Sequence, residues 1–338
     1  VNPETSARKR ILFIERQPSG SVSIERVFAE IRRHIPEELF DLDVQKLSYG
    51  NGLAGIIKNL LTFRKNNADI YHLTGHAHYM ALVLPANKTV LTVHDLVFLH
   101  NRTGVRRHLL KKLFLDWPVR KLRHLTAVSQ ATKDEIVSHC PDSSTKVTVI
   151  ENPLIGKFLP GEPRPFNAAK PVILQIGTTP NKNVPRLIAA ISGLACRLRM
   201  IGRLDDNIRL ALEKHATDHE SVDAVGESEI IDEYRRADMV SFCSTYEGFG
   251  LPIIEAQAMG KPVVTSDLEP MRSVAGNGAI LIDPHDISGI RQGILRLIED
   301  ENFRDALIER GSENVTRFEP QAVAMRYCKL YQEMLSGQ

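Results

Sequence analysis

Two glutamates in one short stretch, STYEGFGLPIIEAQAMGKPVV at 244–264, have the types and spacing for ligand chemistry. Seven residues separate Glu247 from Glu255, and the turn Gly248-Phe249-Gly250 lies between them. Glycines there let backbone N–H groups approach an anion at a helix N-terminus. Carboxylates next to an anion site are unfavourable unless each has a partner of its own. Hydroxyl groups on either side of a diphosphate would be such partners, so a ligand ordered sugar, diphosphate, ribose fits the pattern: a nucleotide-sugar. Pro252 suits the first helical position and Gly260 the helix end. Glu255 is then expected in the first helical turn and Glu247 on the loop before it. Taken alone, Glu255 is equally explained as a carboxylate complementing the helix dipole.

The elements that must hold these residues follow a β-then-α rhythm. RILFIE (10–15), FDLDVQKL (40–47), DIYHL (69–73), TVLTVHDL (89–96), LTAVS (125–129) and KVTVIENP (146–153) read as strands. Amphipathic helices fall between them, which argues for an α/β fold with a parallel, doubly wound sheet. Residues 151–171 carry five prolines and two glycines and read as a linker. The rhythm restarts at PVILQIG (171–177) and runs through LRMIG (198–202), VDAVG (222–226), DMVSFC (238–243), KPVVTSD (261–267) and AILID (279–283). Two Rossmann-like halves facing across a cleft are expected, 1–160 and 161–318. A final helix places Val323, Tyr327, Leu330, Tyr331 and Met334 on one stripe.

Composition narrows the function. The 338 residues are 43% apolar with a net charge of +2, against the strongly basic face of a general nucleic-acid binder. No apolar run reaches the length of a membrane span. The polar start VNPETSARKR lacks a signal-peptide core, so a cytoplasmic protein is expected. Cys140, Cys196, Cys243 and Cys328 lie far apart and read as reduced thiols.

EGFGLPIIE resembles the E-x7-E motif of retaining glycosyltransferases of family four, the glycosyl transferases of group 1, which have the GT-B fold. The similarity extends over nearly the whole chain, through VLTVHDL, LTAVSQATKDEI, KVTVIENP and, most strongly, DEYRRADMVSFCSTYEGFGLPIIEAQAMGKPVVTSD. It implies an N-terminal acceptor domain, a C-terminal donor domain and a final helix, 319–338, crossing back to the N-terminal one. It implies transfer of a hexose-type sugar from a UDP- or GDP-sugar to a saccharide or lipid-linked saccharide in polysaccharide biosynthesis. Retention is implied, with no metal or other cofactor and no nucleic acid.

Carried over by motif, Glu255 would bond the ribose hydroxyls and Glu247 would sit by the sugar hydroxyls. The amides of Phe249, Gly250 and Leu251, with Gly248, would approach the phosphates or the sugar. Lys182, in GTTPNKNVPRLIAAI, matches the phosphate-binding lysine; the alternative is a solvated helix-start lysine, and the place of Lys182 after the strand-ending Gly177 favours the functional reading. His94 in VHD matches the residue facing the donor sugar, or is a packed histidine at a strand end. Gly20 stands where relatives carry paired glycines. Two departures accompany the match. Thr178 and Asn181 occupy places where many relatives carry an arginine, and Arg203 is the candidate replacement. Arg272 and Ser273 replace a proline–glutamate pair. These departures motivate an alternative, a non-catalytic nucleotide-sugar-binding subunit. A sugar-nucleotide epimerase of the same fold is disfavoured by the E-x7-E context.

Three other signals compete. Asp41 and Asp43 form Asp-x-Asp, a metal motif elsewhere, but alternate with Phe40, Leu42 and Val44 as the solvent face of a strand. His72, His76 and His78 lack a completing acid or cysteine and are expected to line an acceptor cleft. The segment 105–124 interleaves Leu109, Leu110, Leu113 and Phe114 with seven Lys or Arg. It is either a solvated helix face or a basic amphipathic surface for peripheral contact with an anionic membrane.

Overall fold

The computed structural model describes residues 8–17, 23–100, 104–159 and 164–337. The chain forms two compact units, 1–153 with 320–338, and 154–319. Gly20 lies outside the described residues.

The first unit is built on six parallel strands: β1 (Lys9–Glu15), β2 (Phe40–Lys46), β3 (Ile70–Leu73), β4 (Thr89–Val93), β5 (His124–Ala127) and β6 (Val147–Val149), in the order β2-β1-β3-β4-β5-β6. The interior strands β3 and β4 are buried at every residue, as sheets covered on both faces require. The edge strand β2 departs from strict alternation. Phe40 is buried, but Val44 is exposed and Asp43 is half-buried, because Arg10 of β1 pairs with the Asp43 carboxylate. That guanidinium holds Asp43 below its ordinary pKa.

The final helix, Pro320–Ser336, buries its whole apolar stripe in this unit. Tyr331 and Tyr327 reach a wholly buried polar chain. His72 Nδ1 meets the Tyr331 hydroxyl at 2.7 Å, and His72 Nε2 meets Thr92 Oγ1 at 2.8 Å. Thr92 continues to Thr126 at 2.6 Å. A buried polar group costs stability unless it is paired, so this chain pins the helix in one register. His72 is therefore core, not the lining of a cleft. His78 is core as well: its Nδ1–H donates to the carbonyl of Phe114. Pro118 has no N–H to offer that carbonyl four residues on, so His78 supplies the donor. Of the three histidines only His76 is partly exposed, with Nε2 3.8 Å from Asp95.

The segment 105–124 is the helix Gly104–Lys111, a wider turn at Lys112–Asp116 and the helix Trp117–Lys121. Phe114 and Leu115 enter the core, and Leu110 and Leu113 pack against it. Val105, Leu109 and Trp117 remain exposed among the basic residues.

The second unit carries β7 (Val172–Ile176), β8 (Arg197–Ile201), β9 (His219–Val222), β10 (Met239–Phe242), β11 (Val263–Ser266) and β12 (Ile280–Ile282), all parallel, ordered β12-β11-β10-β7-β8-β9. β9 precedes the expected 222–226 because its polar residues pair along β8 as an exposed edge, which carries no apolar pattern. Among the described residues, 151–171 hold no helix or strand, yet Ile155 and Phe158 are buried in this unit.

Burial holds His72, His78 and His94 each down to about 3 from the ordinary 6.5. Unfolding restores ordinary values, so between pH 6.5 and 3 the unfolded chain binds more protons. The stability these neutral rings contribute is present above pH 6.5 and is lost as pH falls through that window. Each adds a slope approaching about 1.4 kcal/mol per pH unit. Thermal unfolding of the first unit is expected at a clearly lower temperature at pH 5 than at pH 7.5; an unchanged midpoint would contradict this burial.

Candidate functional site

The order of the second sheet reverses between β7 and β10, so the loops after these two strands leave in different directions beside one another. Ligands of open α/β sheets bind at such a point, beyond the strand C-termini. The loop after β7 carries Gly177, Thr178, Asn181 and Lys182. The loop after β10 carries Thr245, Tyr246, Glu247 and the Gly248-Phe249-Gly250 turn.

Lys182 Nζ lies 2.6 Å from Glu247 Oε1, with both side chains largely shielded. The same ammonium stands 4.5 Å from the centroid of the Phe242 ring, a cation–π contact. Gly177 makes room for it: at φ +82° it takes a backbone conformation L side chains resist, and a Cβ there would meet Lys182 Cε at 2.9 Å. Asn181 is the second clamp. Its Nδ2 donates to the Tyr246 carbonyl at 3.0 Å and to Glu247 Oε1 at 3.3 Å. Its own carbonyl accepts from the Thr245 backbone N–H at 2.8 Å. Next to it, buried Asn183 adopts the left-handed conformation and donates to the carbonyls of Cys243 and Pro284. Asn181 thus carries an amide that joins the two loops.

Gly250, at φ +117°, caps the helix Leu251–Ala258. Pro252 has no N–H and the Ile253 N–H is taken by the Gly250 carbonyl at 3.0 Å, which leaves the amides of Gly250 and Leu251 as the candidates to face an anion. Phe249 is buried and packs edge-on to Phe318, so its side chain anchors the turn while its backbone remains at the helix start. Glu255 is the fifth residue of the helix, not in its first turn as expected, since the helix begins at Leu251. Its favourable interaction with the dipole is correspondingly weaker. Its Oε2 accepts from the Tyr234 hydroxyl at 2.6 Å. The two carboxylates that bracket the turn therefore have separate partners, Lys182 and Asn181 for one and Tyr234 for the other.

Thr178 donates to the Arg203 carbonyl at 2.7 Å, and the Arg203 side chain is exposed. Arg272 pairs with Asp267 at 2.6 Å, and the Ser273 hydroxyl donates to Glu269. His94 belongs to the first unit, at the end of β4, where its Nε2–H donates to the Thr74 carbonyl at 2.9 Å. Its low pKa, from burial and then the nearby His76, keeps the ring neutral near pH 7. Sequence reasoning assigned no role to Tyr234 or Asn183. Tyr234 stands in DEYRRADMV, inside the segment of strongest similarity, but only the fold points its hydroxyl at Glu255.

Residues 162–314 match the family described as Glycosyl transferases group 1, and residues 21–154 match Glycosyltransferase Family 4. The chain belongs to these group 1, family 4 glycosyltransferases, and its pair of parallel six-stranded sheets is the GT-B fold. Among individual proteins, it is 31% identical over 157 residues to the O-antigen chain mannosyltransferase B of Escherichia coli, covering 43% of this chain and 41% of that one. It is 27% identical to the O-antigen chain mannosyltransferase RfbU of Salmonella typhimurium, over 69% of this chain and 66% of that one. The chain thus aligns with less than two thirds of either relative's length. In fold it is similar to sucrose-phosphate synthase of Thermosynechococcus elongatus, with a TM-score of 0.76 at 16% identity over 98% of this chain and 100% of that one. It is also similar to Anabaena HepE in complex with UDP and glucose, with a TM-score of 0.75 at 16% identity over 96% and 100% of the two chains.

Replacing Gly177 with Ala forces a Cβ into the left-handed backbone and against Lys182. The variant is expected to lose more than about 1 kcal/mol in chemical denaturation. Unaltered stability would show that the loop after β7 is not held as described.

Proposed function

We propose that this protein is a retaining glycosyltransferase that moves a hexose-type sugar from a UDP- or GDP-sugar to a saccharide or lipid-linked saccharide in polysaccharide biosynthesis. The observation that carries the reading is the Lys182–Glu247 pair at the reversal point of the second sheet, 2.6 Å apart beside a helix N-terminus. The two mannosyltransferase relatives, both named for O-antigen chains, support the same class of product.

Breaking the anomeric bond leaves negative charge on the diphosphate. In this reading no metal takes that charge; Lys182 and the amides at Gly250 and Leu251 do, as preorganised groups aimed at where charge develops. Arg203, exposed after β8, adds a further cation. Lys182 exchanges Glu247 for phosphate as the donor enters, while Asn181 keeps the carboxylate in place for the sugar hydroxyls. Glu255 takes the ribose. The acceptor attacks the face the leaving phosphate departs from, and a phosphate oxygen receives its proton. His94, neutral and a donor through Nε2, positions rather than ionises.

The second reading, a nucleotide-sugar-binding subunit without catalysis, is favoured by Arg272, whose charge is spent on Asp267 and Glu269. The Glu247→Ala variant separates the two. Turnover is expected to fall by about 100-fold or more while nucleotide affinity stays within a few-fold. Unchanged turnover would remove Glu247 from the chemistry.

Peripheral contact with the cytoplasmic face of a membrane belongs to the same reading. It is supported by exposed Val105, Leu109 and Trp117 among basic residues, and by Leu53, Ile57 and Leu61, exposed by 61%, 48% and 80%. No described helix is long and apolar enough to cross a membrane. Co-sedimentation with vesicles containing anionic lipid is expected, and reduced by Trp117→Ser. Equal recovery with neutral vesicles would contradict an electrostatic contact.

A further inference from the structure

Tyr234 stands in the helix Glu227–Arg236, outside both loops of the site, yet its hydroxyl ends on the carboxylate of Glu255. The ring is wholly buried, and Phe158 packs edge-on against it at 5.5 Å between centroids. A tyrosine has few torsions, and both are fixed here by packing. The hydroxyl also lies 3.4 Å from the Pro252 carbonyl, so it is directed at the start of the same helix that carries Glu255. Burial and the neighbouring carboxylate raise the phenol well above its ordinary pKa, which keeps it a donor.

The terminal torsion of a glutamate is broad, so an unsupported carboxylate samples many planes. A bond of 2.6 Å from a buried donor to Oε2 selects one. We propose that Tyr234 is a positioning residue for ribose recognition: by holding Oε2 from the protein side, it sets the plane in which Glu255 meets the vicinal hydroxyls of a ribonucleoside diphosphate. Tyr234 does not touch the nucleotide; it acts through Glu255. The consequence is selectivity, because a carboxylate already held in one plane meets both hydroxyls of a vicinal diol without a further ordering cost, a gain that a single hydroxyl, bonded in many orientations, does not need. This inference rests on the reading of Glu255 as the ribose-binding carboxylate.

The test is calorimetric titration of the full chain with UDP or GDP, whichever binds, and with its 2′-deoxy form. The wild type is expected to favour the ribonucleotide by about 10-fold. Tyr234→Phe removes only the hydroxyl. It is expected to weaken ribonucleotide binding by about 10-fold, leave the deoxy form within about twofold, and so collapse the ratio. Weakening of both ligands alike, or an unchanged ratio, would overturn the proposal, since a merely structural tyrosine does not act on the 2′-hydroxyl. Glu255→Gln distinguishes the two failures. If it collapses the ratio and Tyr234→Phe does not, only the positioning role is wrong. If it also leaves the ratio unchanged, the ribose reading of Glu255 fails and the proposal falls with it. Should Tyr234→Phe not fold, Phe158→Leu, which loosens the packing of the Tyr234 ring while keeping its hydroxyl, is expected to narrow the same ratio, and an unshifted ratio overturns the proposal.

Discussion

The reversal of strand order between β7 and β10 governs everything that follows in the second unit. Within a parallel sheet the loops after neighbouring strands normally follow one another over the same face. Where the winding changes direction they part, and a crevice opens at the strand C-termini. Lys182 comes from one of these loops and Glu247 from the other, 65 positions apart in sequence and 2.6 Å apart in space. No local propensity could bring them together. The sheet does so, and Gly177 and Gly250 then take the two positive-φ conformations that let each loop turn tightly enough.

Charge compensation explains how two carboxylates flank a glycine turn at a helix N-terminus. Glu247 is matched by an ammonium and an amide, and Glu255 by a buried phenol. These partners differ in kind. Lys182 brings a charge on a long side chain, whereas Asn181 and Tyr234 bring neutral donors, the first from the same loop as Lys182 and the second from the helix Glu227–Arg236. Under the proposed function these neutral donors keep the carboxylates oriented while Lys182 changes partner.

Much of this was legible in the sequence, for identifiable reasons. Buried parallel strands appear as apolar runs, so β4, β7 and β10 stood out. The glycine–proline punctuation of EGFGLPIIE marked the turn and the helix after it. Legibility failed where tertiary contact overrides local pattern. β9 is a polar edge strand and carries no apolar signal. Glu255 falls beyond the first turn because Leu251, not Pro252, begins the helix. His72 and His78 read as the lining of an acceptor cleft because a sequence does not reveal the Tyr331 hydroxyl or the Phe114 carbonyl that satisfies them. Tyr234 had no signature at all, since its role arises from a contact across 21 residues.

The central claim is that the crevice at β7 and β10 holds a nucleotide diphosphate through Lys182 and backbone amides, without a metal. Calorimetric titration with UDP, GDP and dTDP in the presence of EDTA, repeated on Lys182→Ala, tests it most directly. Selective binding of one nucleotide in EDTA, lost in the variant, is the predicted result. Binding that requires a divalent cation, that survives removal of Lys182, or that is absent for all three nucleotides would contradict the account.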